Sequence, residues 1–242
     1  MRHLMIAAIV MILSFITSLS VEAQSIRQHS RARVPLSFIG MKGEPIQALA
    51  DITYDRKAEL TEPIIDWDAT FVYSVRSFAG GAKIPGGARL KRNGLYGQLF
   101  MRALEHAKRL RDRSLPDGRF AITFEFIEQL EVKDPQDSEA VIALVFLGLH
   151  DGRGFADGLI LGGLDSEGRL KQVADLNKRL TVLLKRDVRK VIIPSGQTKE
   201  ISDFPQQAID IGKLDVTEVA TLKDVYDLMT YPRRIRHPGD PP

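Results

Sequence analysis

Regular alternation of apolar and polar residues begins at DATFVYSVRSF, 68–78, the pattern of a half-buried strand. The glycine-rich AGGAKIPGGARL that follows supplies the turn of a hairpin. In LYGQLFMRALEHAKRLRDRS the spacing changes: Tyr96, Leu99, Phe100, Ala103, Leu104 and Ala107 recur at three and four, which predicts an amphipathic helix with a solvated basic face, His106 among its polar positions. A PDG turn at 116–118 then leads into the strand RFAITFEFIEQL. Beyond it, 140–149 is apolar on every side, so this helix should be buried among other elements. Further on, the pattern predicts a strand at DGLILGG, a helix over 173–185, a buried strand at RKVIIPSG, a helix near 204–211 and a strand at KLDVTEV. Thr221 and Asp224 are spaced to open a last helix as a capping box. Strands and helices mixed in this order predict an α+β or α/β domain.

The two ends differ from this body. Residues 24–66 are broken by Pro35, Gly40, Gly43, Pro45 and Pro63. They show one strand-like piece, VPLSFIG, and a polar helical or loop piece over 48–59, and are set apart as an extension of unassigned role. Residues 1–23 carry Arg2, an uncharged apolar run from Leu4 to about Leu19, and the small residues Val21 and Ala23. This is the pattern of an export signal cut after Ala23, with an uncleaved membrane anchor as the alternative, and both place the body outside the cytoplasm, in the periplasm or secreted. The tail YPRRIRHPGDPP, 231–242, mixes prolines and basic residues and is expected to be unstructured.

Composition narrows the chemistry. With 242 residues and 44% hydrophobic content the chain is long enough for a substantial core. A net charge of +3 is too mild to argue for nucleic acid. The absence of cysteine excludes disulfides, thiolate metal sites and a cysteine nucleophile. The five histidines are scattered, which predicts no metal centre, and nothing in the sequence calls for a cofactor. GLDSEGRL has a glycine spacing like that of a phosphate loop, but Arg169 stands where lysine is needed and no Ser or Thr follows.

What remains is a serine. KDPQDSEAVIALVFLGL, 133–149, delivers Ser138 to the first turn of the all-apolar helix. A serine there is a favoured N-cap. Backbone N–H groups and the positive end of a helix dipole also suit a nucleophile whose oxyanion must be stabilised, with a desolvated lysine as its base.

ITFEFIEQLEVKDPQDSEAVIALVFLGL and FADGLILGGLDSEGRLKQVADLNKRLTVLLKRDVRKVIIPSG together resemble the proteolytic domain of Lon proteases, a serine/lysine dyad family. The resemblance covers 67–230 and implies that fold, a tendency to form homo-oligomeric rings, and protein or peptide partners. It sets Ser138 at the nucleophile position and Arg179 at the position of the dyad lysine. Arginine stays protonated and cannot accept the serine proton, and losing a positioned base costs about 10²- to 10⁴-fold in rate. Lys178 is the neighbouring candidate for a substitute base, although helical geometry points it away from the apolar face. The family's flanking small residues fall on Asp137 and Glu139, its threonine and acidic residue on Leu161 and Gly163, and its strand histidines on Phe124 and Phe126. The implied function is an exported, degenerate peptidase without an ATPase module, retained for binding or assembly, with Ser138 as the cap of its helix. The alternative is an active, ATP-independent serine endopeptidase (a hydrolase) with Ser138 as nucleophile.

Overall fold

The computed structural model describes residues 29–40, 43–55, 64–72, 85–88, 95–111, 119–126 and 132–232. Strands β1 (His29–Gly40) and β2 (Pro45–Asp55) form an antiparallel pair in register from His29↔Asp55 to Ile39↔Pro45. On β2, Ile46, Ala48, Ala50, Ile52 and Tyr54 are buried while Leu49, Asp51 and Thr53 between them are half-buried, the period-two burial of a strand. This corrects the expectation of a helical or loop piece over 48–59. Alanine at 48 and 50 is a helix former with little apolar contrast, and pairing on both edges of β2 overrides that local preference. It also corrects the setting-apart of 24–66: from His29 onward this segment supplies two inner strands of the main sheet.

The other members of that sheet are β3 (Ile64–Val72), β4 (Pro85–Ala88), β5 (Arg119–Phe126) and β6 (Val132–Asp134), in the order β4-β3-β5-β2-β1-β6. β3 and β4 are antiparallel, as the expected hairpin requires, and β3 starts at Ile64, before the alternation becomes visible. β3 and β5 are parallel, so a crossover must join them. Helix α1 (Leu95–Leu110) lies in that crossover and packs on α2 (Glu139–His150). Every residue of α2 from Glu139 to Leu149 is buried, as the uninterrupted apolar run from Ala140 demands. The Phe146 ring of α2 lies 4.5 Å from Phe120 of β5, which in turn stacks on Tyr54 of β2 at 4.7 Å between centroids.

Beyond α2 the chain forms β7 (Arg153–Phe155) and then β8 (Leu159–Ile160), α3 (Leu176–Leu184), β9 (Lys190–Pro194), α4 (Asp203–Asp210) and β10 (Asp215–Val219). The three strands β10-β9-β8 make a parallel sheet. Leu176, Leu180 and Leu183 of α3 cluster with Val191 and Ile193 of β9 in a second core. Helix α5 (Leu222–Met229) opens with the expected capping box: Thr221 Oγ1 accepts from the Asp224 amide at 3.2 Å, and the Asp224 carboxylate accepts from the Thr221 amide at 2.8 Å. β11 (Thr230–Pro232) pairs with β7, so the first two residues of the tail are part of a ladder rather than an unstructured end. Residues 1–23, expected to be an export signal, and residues 233–242 lie outside the described residues.

The fold is mixed helix and strand, α+β, and the parallel sheet separates its two cores, with Ile160 and Ile192 in the larger and Leu159, Val191 and Ile193 in the smaller. Among the described residues no helix is long and apolar enough to cross a membrane.

Candidate active site

A short 3₁₀ turn, Gln136–Ser138, carries the chain from β6 into α2 and leaves Ser138 at the N-cap position with no exposed surface. The Ser138 side chain does not cap the helix. Its Oγ donates to the backbone carbonyl of Ser37 on β1 at 3.0 Å, which corrects the expectation of a capping serine. The physical reason is β1, which runs against this turn and presents a carbonyl acceptor to the hydroxyl from a distant part of the chain.

Arg179, on α3, is also fully buried. Its Nη2 is ion-paired with the Asp137 carboxylate, its Nη1 lies 3.5 Å from the Ser37 hydroxyl, and its Nε donates to the Ala174 carbonyl at 3.2 Å. A guanidinium can be removed from water only if its charge and its N–H groups find such partners. The Asp137 backbone carbonyl in turn accepts from the Gly162 amide at 3.0 Å, tying the turn to the loop after β8. The buried Ser37, Ser138 and Arg179 and the half-buried Asp137 thus form one polar cluster where β1, the 3₁₀ turn and α3 meet.

Glu139, the next residue, is nearly inaccessible and has other partners. Its Oε2 accepts from the Leu164 amide at 3.2 Å, and its Oε1 is 3.4 Å from Arg102 Nε and 3.7 Å from His106 Nε2, both on α1. His106 is buried, not on the polar face expected for it. Burial above all, then the Arg109 guanidinium, holds its imidazole below the ordinary pKa, against a raising effect from Asp165. Arg102 therefore provides the standing positive charge beside Glu139.

The chemistry available to this arrangement is limited. Ser138 donates its proton to a carbonyl that cannot carry it away, and the adjacent cation cannot act as a base. Asp137, the carboxylate of the turn, is engaged by Arg179. Lys178 lies on the solvent face of α3, its side chain 69% exposed and 3.7 Å from Asp175. The structure brings Ser138 and Arg179 into one cluster and leaves Lys178 outside it. Leu161 is buried in the second core, and Gly163 sits so close to the Gln136 carbonyl that an added Cβ would come within 3.1 Å of it. Phe124 and Phe126 lie in β5. Among the described residues no three metal-capable side chains come together.

Sequence reasoning missed Ser37. A signal existed, because Leu36, Ser37 and Phe38 are consecutive and all buried, and a hydroxyl inside an otherwise apolar strand needs a partner.

Asp165 braces the turn that follows Gly163 and Leu164. Asp165 accepts from the Arg169 guanidinium at 2.8 Å and from the amides of Arg169 and Glu167 at 3.0 and 2.9 Å, and these bonds, led by the guanidinium, lower its pKa from 3.8 to about 2. A lowered carboxylate pKa stabilises the fold above the unfolded value, and that contribution disappears as pH falls through the folded one. The stability difference between the parent and Asp165→Asn is therefore expected to be constant above about pH 4 and to close between about pH 4 and pH 2. Urea midpoints measured across that range check it, and a difference unchanged at pH 2 counts against the assignment.

Comparison with family models and with curated proteins finds no match to this chain.

Proposed function

We propose that this chain is an exported, Lon-protease-like domain, a degenerate serine/lysine peptidase kept as a protein- or peptide-binding or assembly module. One observation carries the reading: the residue aligned with the dyad lysine is a fully buried arginine, paired with Asp137 beside the serine it would have to activate. Arginine in place of lysine removes the base, and Asp137 in place of a small residue neutralises the arginine. The two changes compensate each other structurally and together close the route for the serine proton. The hydrogen bond from Ser138 to Ser37 gives the retained hydroxyl a structural task. Export rests on the charge and apolar pattern of residues 1–23, and mass spectrometry of the N-terminus of the exported protein tests it.

The decisive experiment is labelling of the folded protein by a serine-directed fluorophosphonate, with Ser138→Ala as control. The expected result is no labelling of either. Ser138→Ala should also lower stability by about 1 to 3 kcal/mol, because the Ser37 carbonyl loses a buried donor, and should leave partner binding unchanged. Labelling of the parent that vanishes in Ser138→Ala overturns the reading in favour of an active serine endopeptidase.

A further inference from the structure

His106 is a buried imidazole in the seam where α1 meets the start of α2 and the hairpin 164–170, which the Leu164↔Leu170 bridge closes. Three side chains spaced by about one turn form the α1 side of this seam. Arg102 Nε lies 3.4 Å and His106 Nε2 3.7 Å from Glu139 Oε1, and Arg109 Nη1 donates to the Ser166 carbonyl at 2.7 Å. Glu139 completes the joint by accepting from the Leu164 amide at 3.2 Å. The hairpin is thus held at two points, by Glu139 at its first residue and by Arg109 near its tip.

The same hairpin reaches the serine site. Just before it, the Gly162 amide donates to the Asp137 carbonyl at 3.0 Å, and Gly163 lies against the Gln136 carbonyl. Displacement of the hairpin therefore bears directly on the turn that carries Ser138.

The charges around His106 make this joint sensitive to acid. α1 faces it with Arg102 and Arg109, α2 with Glu139, and the hairpin and the residue after it with Asp165 and Lys171. Three cations stand against two carboxylates, of which Asp165 is engaged by the Arg169 guanidinium and Glu139 is shared with Arg102. A proton on His106 adds a fourth cation at a site removed from water, and both burial and like charge oppose it. Once the joint opens, the imidazole meets water and takes up a proton near its ordinary value of 6.5. The open form thus binds more protons than the closed one, so opening becomes more favourable as pH falls below that value.

The geometry points to His106 as the acid-sensitive release of this joint: its protonation frees the hairpin 164–170 from Arg109 and Glu139 and loosens the turn that carries Ser138. This goes beyond the proposed function and does not depend on whether Ser138 reacts.

The test is hydrogen–deuterium exchange of the folded protein, followed by mass spectrometry, with each rate divided by the intrinsic rate at the same pH. Opening of the segment 161–171 should rise about five- to tenfold from about pH 7.5 to about pH 5.5, the change that one proton permits, while β9 should hold constant. His106→Gln and His106→Leu should each abolish the rise. The first keeps a polar side chain and the second keeps buried volume, so a failure of one to fold leaves the other to decide. An NMR titration of the His106 ring in the parent needs no variant and should show its inflection below 6.5. No rise, a rise that persists in a folded variant, an equal rise in β9, or a ring inflection at or above 6.5 overturns the proposal. Ser138→Ala should open with pH as the parent does. A failed release therefore leaves the fluorophosphonate result, and the reading of the serine site, untouched.

Discussion

Arg179→Ala is expected to lower stability by about 3 kcal/mol, the low end of the loss that follows when one partner of a buried ion pair is removed, because Asp137 keeps 21% of its side chain exposed to water. Truncation leaves the Asp137 carboxylate without its cation, withdraws a donor from the Ala174 carbonyl, and opens a space the size of a guanidinium at a fully buried position. The Coulomb energy of the pair is not the main quantity, because taking both charges out of water offsets much of it. What costs is the asymmetry of the single change. An Asp137→Leu, Arg179→Met double variant should accordingly be more stable than Arg179→Ala alone, since it removes both charges and refills the volume. Urea unfolding of the three proteins measures this. A loss below about 1 kcal/mol for Arg179→Ala would mean that water reaches the cluster and screens it.

The second large effect belongs to α2. Phe146→Ala should cost about 3 to 5 kcal/mol, the transfer energy of a fully buried ring together with the cavity it leaves. Phe146 touches Phe120 from β5, and Phe120 stacks on Tyr54 from β2, so one ring carries contact from the central helix through two strands. The surroundings are poorly placed to collapse into the hole because α2 is enclosed along its whole length. Phe146→Leu retains most of the volume and should cost clearly less. Equal destabilisation by the two substitutions would show that ring geometry, rather than filled volume, is what the site requires.

Both predictions depend on how much of the molecule its residues announce locally. The all-apolar run from Ala140 to Leu149 could only be a buried helix, because no face was left for water. The capping box at Thr221 and Asp224 and the buried strand at Val191 to Ile193 were equally local statements. β2 was not. Its inward positions alternate Ile46, Ala48, Ala50, Ile52, Tyr54, and two alanines reduce the contrast on which periodicity depends. His106 was a different case: on a helical projection it lies about 20° from Leu99, at the edge of the apolar face, and its residue type rather than its position suggested a polar face; it is buried with Glu139 of α2 3.7 Å away.

For the candidate site, residue types alone determined the negative part. Without cysteine there is no thiolate chemistry, and an arginine such as Arg179 supplies a fixed cation rather than a general base. Pattern alone also determined that Ser138 would open a buried helix. What only the tertiary structure decided is where the hydroxyl and the charges point. Ser37 lies 101 residues from Ser138, and Asp137 lies 42 from Arg179. A buried donor or charge takes whatever partner the fold brings within about 3 Å, and at such separations that partner is set by strand order and helix packing rather than by anything written next to it in the chain.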